Sequence, residues 1–291
     1  MIDWTAVANR NARSVQTTVG WIFWDPGAVA RYEAAGLPEG FAGPLGYIAS
    51  RCAPLAPVGP SAVTAAFGSI SPLGITAVFD LLDADGFTRM WEARDEAVIE
   101  GLATFTPGLL DTLGAMGPDL WAVVDDLPMV GRVFFGAHLR MPRPADPALS
   151  GWHAVNCLRE WRGDTHWALV VAAGLTHAEA SILHNAWLGY EDDWLAVSRG
   201  TTPEALDDGW RALEGKGLAT GRTVAPGGVA LRQRIEDDTD RLTTLPWELL
   251  GEDRSVEFAE RFEPACQVLL RRVDETAGPN YQPASRIRTG R

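Results

Sequence analysis

The segment between Gly36 and Gly74 most restricts what this chain can become. Thirteen of its residues are glycine or proline, yet it carries Phe41, Leu45, Tyr47, Ile48, Leu55, Val58, Val63, Phe67 and Ile70. Proline interrupts helices and central strands and glycine weakens both, so only brief helices fit. A solvated linker would not hold so many apolar side chains. The segment therefore reads as buried backbone that bends repeatedly, the kind that lines cavities. Between Phe41 and Ile70 the one charged residue is Arg51, and a charge in such surroundings needs a partner.

With 291 residues the chain is long enough to bury a large core without staples. Its 25 basic and 38 acidic residues leave a net charge of −13, which repels phosphate and points away from nucleic-acid coats and anionic membranes. The longest apolar run, Trp167–Leu175, is interrupted by Gly174 and reaches about half of a bilayer span, so no membrane partner is expected. The opening residues Met1-Ile2-Asp3-Trp4 have no basic stretch followed by an apolar one, and a cytoplasmic location is expected. Cys52, Cys157 and Cys266 stand alone without ligand-like spacing and read as small buried hydrophobes.

Punctuation predicts a mainly α chain. Helices are expected over about Trp4–Thr18, from Asp25-Pro26 to Gly36, over Phe87–Phe105, and from Leu120 to about Val124 after Pro118. Pro142, Pro144 and Pro147 suggest a hinge, dividing a helical subdomain (1–145, with the bent segment at 36–75) from a second subdomain (146–276). There, a helix from Pro147 to Arg162 is expected to break at Gly163, with Asp164 capping a second one to Ala173. Thr176 and Glu179 form a capping box for a helix to Leu188, and Thr202-Pro203 opens another that Gly217 ends. Residues 218–231 read as a hairpin returning into a helix to Leu242. A last helix spans Ser255–Val273, and 277–291 reads as a disordered tail.

The order of a helix at 164–173, a capped helix, a helix ending in Glu-Gly-Lys-Gly-Leu (214–218), a hairpin and a long helix resembles a MarR-like winged helix. The chain also resembles an actinobacterial family catalogued as helix-turn-helix, through "RCAPLAPVG" (Arg51–Gly59), "GWHAVNCLREWRGDTHWALVVAAGL" (Gly151–Leu175), "LH" (Leu183–His184) and "RIEDDTDRL…PWELLG" (Arg234–Gly251). The winged-helix resemblance implies that the helix from Pro203 to Lys216 enters the major groove and the hairpin tip a flanking groove, with Arg211, Lys216 and Arg222 as contacts. Local charge opposes this. Between Tyr190 and Trp210 lie six acids and one base, and Glu204, Asp207 and Asp208 occupy the half of the helix that would approach phosphate. DNA is therefore disfavoured as a partner, and the plainer reading makes these acids a solvated face complementing the helix dipole.

Four histidines, His153, His166, His177 and His184, fall within 32 residues, interleaved with Arg159, Glu160, Arg162 and Asp164. A small-molecule site is the leading expectation: Arg51, Arg159 or Arg162 holding a carboxylate or phosphate, with His153, Asp164, His166 and His184 around it. The alternative is an enzyme in which His166 or His184 moves protons. The plainer reading pairs Glu160 with Arg159 or Arg162, lets Asp164 cap its helix and satisfies the histidines on backbone, with His177 exposed. No metal or cofactor is expected: the histidines lack ligand spacing, and GxGxxG, GxxxxGK[ST] and GxSxG are absent. The 12 tryptophans fit either large-on-small packing or stacking on a planar ligand. A third reading is a homodimer through the last helix, with Val256, Phe258, Phe262, Val268 and Leu269 as its interface.

Overall fold

The computed structural model describes residues 2–286, and among these the chain is mainly helical, with a single two-stranded hairpin. Helix starts follow side-chain chemistry. Asp3 caps α1 (Trp4–Gly20), accepting from the Ala6 amide at 3.0 Å, and Asp25 caps α2 (Pro26–Ala34), accepting from Gly27 at 2.8 Å. The Gly/Pro-rich segment folds into α3 (Ala42–Cys52), a 3-10 stretch (Ala53–Val58), α4 (Pro60–Ala66) and α5 (Pro72–Leu81). Next come α6 (Ala84–Phe105), α7 (Pro107–Asp126), α8 (Val133–Leu139) and α9 (Pro147–Ala172). Then follow α10 (His177–Leu188), α11 (Trp194–Ser198) and α12 (Pro203–Gly215). Strands β1 (Ala219–Thr220) and β2 (Thr223–Val224) pair antiparallel around Gly221, whose positive φ a two-residue hairpin turn requires. The chain closes with α13 (Pro226–Leu242), α14 (Leu245–Leu250) and α15 (Glu252–Thr276).

Two apolar clusters organise these elements. The larger gathers Trp21, Phe134, Trp152, Trp161, Phe258 and Phe262. The smaller gathers Val170, Leu183, Leu206, Trp210, Leu213 and Ile235, drawn from α9, α10, α12 and α13. Helix α9 belongs to both. Its first half is buried on nearly every side, and Gly151 lets it touch α7: a Cβ there would stand 2.1 Å from the Leu113 carbonyl oxygen.

Several expectations need correction. Helix α9 runs through Gly163 without a break, since a glycine inside a helix costs only ~1 kcal/mol and the burial of a 26-residue helix exceeds that. Asp164 therefore opens no helix of its own; its carboxylate accepts from the Phe135 amide at 2.9 Å, in the first turn of α8. Helix α7 begins at Pro107 and carries Pro118 inside it. Residues 277–286 are packed, with the Tyr281 ring 4.4 Å from Trp24 and 4.9 Å from Trp194 and Gln282 buried; the rest of the expected tail, 287–291, lies outside the described residues. Of the five residues expected at a dimer interface, Phe258, Phe262 and Leu269 are fully buried in the larger core, Val268 is half-buried and Val256 is exposed. No helix among the described residues is long and apolar enough to cross a membrane.

Candidate functional site

Where the two cores meet there is a cavity of about 470 Å³, walled by α1, α3, α9, α10, α13 and the segment at 281–286. The bent segment contributes Tyr47, Ile48, Arg51 and Ile70; α9 contributes Arg159, Arg162 and His166; α10 contributes Leu183, His184 and Trp187. Five of the seven residues expected to bind a ligand thus line one cavity: Arg51, Arg159, Arg162, His166 and His184. The other two lie elsewhere. His153 is buried against Asp95, Nε2 to Oδ2 at 2.9 Å, and Asp164 faces α8. Burial lowers the His153 pKa more than Asp95 raises it. Burial, with repulsion from Glu160, also lifts the Asp164 carboxyl to about 7, against hydrogen bonds from two backbone amides and the attraction of Arg51.

The arginines differ in how they are held. Arg51 is held at all three nitrogens: Nε and Nη2 donate to both oxygens of Glu160 at 2.9 and 2.7 Å, and Nη1 donates to Tyr47 Oη at 2.9 Å and to Ser69 Oγ at 3.3 Å. Its guanidinium also lies over Phe67 and Phe134, at 4.4 and 4.9 Å from the ring centroids. Arg159 donates to the same Glu160 at 2.6 Å. Burial alone would raise the Glu160 carboxyl, but Arg51 and Arg159 overcome it and hold it at about 2. The plainer reading of Glu160 is therefore partly right in kind, with Arg51 as the partner sequence spacing could not show. Gly163 lies beside this pair; a Cβ there would be 3.8 Å from Glu160 Oε2, an ordinary contact.

Across the cavity, Glu236 joins Arg162 and Arg232, each at 2.7 Å, and Arg162 also stands 2.8 Å from Asp240. Burial opposes ionisation of Glu236, yet Arg232 and Arg162 keep its pKa well below the usual range. Arg232 is buried over the Trp187 ring at 4.8 Å, and its Nη1 has no hydrogen-bond partner among the described residues. Arg199, at the end of α11, is unlike the rest. Its guanidinium donates to Ser181 Oγ at 3.2 Å, and no carboxylate pairs with it among the described residues. It keeps some accessible surface because it borders the cavity, while burial, with Arg232 and Arg51 adding repulsion, lowers its pKa to about 10. Sequence reading singled out neither Arg199 nor Arg232. A signal existed for Arg232, which falls with Gly228, Ile235 and Thr239 on the buried stripe of α13.

His166 reveals its tautomer. The Thr239 hydroxyl donates to the Ile235 carbonyl at 2.6 Å, so toward His166 Nδ1, 3.0 Å away, it must accept. Nδ1 then carries the proton and Nε2 is an acceptor. Burial and the nearby Arg232 hold His166 neutral, at about 3, and the same causes push His184 well below its ordinary value. His177, expected at the surface, is half-buried and bridges Gly68 O at 2.9 Å and Thr201 Oγ1 at 3.1 Å. With the Ser71 amide on the Arg199 carbonyl at 3.0 Å, it fastens the bent segment to the α11–α12 turn.

The surface implied for DNA is occupied from within. Arg222 at the hairpin tip pairs with Asp193 at 2.9 Å and with Asp207, Arg211 pairs with Asp208, and Lys216 pairs with the buried capping residue Glu179. Trp210 is buried and donates to Asp193 at 3.1 Å.

A family model described as the helix-turn-helix family matches residues 8–275, which takes in both cores and every cavity wall but the segment at 281–286. This chain belongs to the helix-turn-helix family. No curated protein and no solved structure matches it. In this helix-turn-helix protein the cavity thus lies within the region that defines the family.

Proposed function

We propose that this helix-turn-helix protein is a small-molecule binder whose ligand occupies the cavity between the two cores, with α10, α12 and the hairpin acting as a winged-helix-like wall. One observation carries this reading: guanidiniums from α3, α9, α11 and α13 are gathered round a space large enough for one ligand of ordinary metabolite size. Folding stability alone gives no reason to enclose Arg199 without a counter-charge. Family membership makes DNA a partner class to test, but Arg211, Lys216 and Arg222 are already neutralised, and ordinary duplex binding draws on free cations. Proton transfer by His166 is a weaker reading, since a base held at about 3 is largely ineffective near neutrality.

The test is a titration with 1-anilinonaphthalene-8-sulfonate, followed by quenching of Trp24, Trp167, Trp187 and Trp194, all of which line the cavity. Saturable 1:1 binding that disappears in Ile70→Trp, which fills the cavity, is expected; binding untouched by that substitution, or none, overturns the reading. In parallel, fluorescence anisotropy with a mixed-sequence 30-base-pair duplex at 50 mM salt is expected to show no binding at low micromolar protein, where ordinary non-specific binders (~10⁻⁴–10⁻⁶ M) begin to register.

A further inference from the structure

The charges around the cavity do not balance. Seven arginines line the cavity, Arg13, Arg51, Arg159, Arg162, Arg199, Arg232 and Arg286, and they pair with four carboxylates, Glu160, Glu236, Asp240 and Asp274, leaving an excess of three positive charges. The excess is localised, because Glu160 is taken up by Arg51 and Arg159 and Glu236 is shared by two arginines. What remains without a carboxylate among the described residues is Arg13, which donates to Asn9, and Arg199, whose donors beyond the Ser181 contact are uncommitted; beside Arg199 the buried Nη1 of Arg232 has no hydrogen-bond partner. The lining also includes the flat aromatic side chains of Trp24, Trp187, Trp194 and Tyr281, beside aliphatic ones such as Ile48, Val170 and Leu183. Trp24, Tyr281 and Trp194 stand edge-on or tilted to one another, so their faces are not all used up in mutual stacking, while Arg232 lies over the Trp187 ring.

We propose that the ligand is an organic dianion with a planar apolar body, its charged group held by Arg199 and Arg232 and its body lying among Trp24, Trp187, Trp194 and Tyr281. This rests on the cavity being a ligand site. A phosphate monoester matches best: it brings two negative charges and several acceptor oxygens, against guanidiniums that offer forked donors. A carboxylate supplies half the charge. A metal ion or an organic cation meets like charge on every side. The neutral His166, with Nε2 free to accept, adds a position for a ligand hydroxyl or for a proton drawn in once the anion is bound.

The experiment keeps the body constant and varies the charge. 2-Naphthyl phosphate, 2-naphthoate and 2-naphthol are titrated into the full chain by calorimetry, with inorganic phosphate alone as a fourth probe. Affinity is expected to fall in that order from phosphate to naphthol, with inorganic phosphate weaker than its naphthyl ester. Arg199→Met is expected to weaken 2-naphthyl phosphate by about 10- to 100-fold, the range for one lost charge-assisted contact, and to leave 2-naphthol unchanged. Arg199→Lys, which keeps the charge, should recover part of the loss, and melting curves of both variants separate lost binding from lost fold. Equal affinity for all three naphthyl compounds, indifferent to Arg199→Met, overturns the dianion while leaving the cavity as a site. Inorganic phosphate binding as tightly as its naphthyl ester overturns the aromatic half. If none of the four binds, the proposal fails, and if 1-anilinonaphthalene-8-sulfonate also fails to bind, the cavity reading falls with it.

Discussion

Replacing Arg199 by methionine separates a binding role from a structural one, because the two predict opposite changes in the stability of the empty protein. Arg199 is enclosed without a carboxylate, and its pKa falls to about 10. Both its folded and its unfolded values lie above neutrality, so the penalty for enclosing the charge is present in full at pH 7. At ~1.4 kcal/mol per pKa unit, the fall sets a ceiling of about 3 kcal/mol. Water in the cavity screens the half-buried group, and the Ser181 contact returns about 1 kcal/mol, so the net gain on Arg199→Met is expected between about 0 and 2 kcal/mol. In a chain of this size that is a Tm rise of up to about 6 °C. The assay is urea and thermal unfolding of both proteins at pH 7 without ligand. A loss of about 2 kcal/mol or more would show that Arg199 is part of the structural framework, and the reasoning from its missing counter-charge would be wrong.

Other substitutions probe the same framework. Glu160→Gln strands Arg51 and Arg159 and is expected to cost about 3–5 kcal/mol, read by urea unfolding; a cost below 1 kcal/mol contradicts the pairing. Because the folded Glu160 pKa is depressed from 4.5 to about 2, its stabilisation is full above pH 4.5 and lost as pH falls toward 2, so an acid titration of Glu160→Gln should lack that component. Asp164 has the opposite sign: its folded pKa is raised to about 7, so stability is lost as pH rises through that value, and Asp164→Asn should melt higher than the parent at pH 8 but not at pH 4. Gly151→Ala drives a methyl into the Leu113 carbonyl and should cost about 1–3 kcal/mol or more, whereas Gly163→Ala meets only ordinary contacts and should fold with no loss on chemical denaturation. Ending the chain after Thr276 removes Tyr281 from between Trp24 and Trp194, and a red shift of tryptophan emission is the expected signature.

Helix starts were legible because they are local. Asp25-Pro26, Thr176 with Glu179, and Thr202-Pro203 each satisfy orphan amides within three residues, and each cap forms as expected; Asp146 caps the helix expected from Pro147 in the same way. The cavity wall was legible in outline, since glycine and proline amid apolar residues left the bent segment few other fates. Partners distant in sequence were not. Arg51 and Glu160 are 109 residues apart, and nothing in either neighbourhood names the other. Gly163 misled because burial on both sides of α9 outweighs a local propensity. Arg199 misled for a related reason: counted by sequence it is a lone base among acids, whereas in the fold three of those acids, Asp193, Asp207 and Asp208, turn to Arg211 and Arg222 and none pairs with Arg199. Tyr281 and Gln282 sit in a polar stretch whose packing depends on aromatic rings more than 80 residues away.

A crystal structure of the protein with 6-bromo-2-naphthyl phosphate tests the central claim most directly, because the bromine's anomalous signal marks the body and the phosphate density marks the charged end. The expected result is phosphate oxygens within hydrogen-bond distance of Arg199 and Arg232, with bromine among Trp24, Trp187, Trp194 and Tyr281. Bromine in the separate groove bordered by Leu73, His177 and Asp208, or phosphate turned away from both arginines, would contradict it.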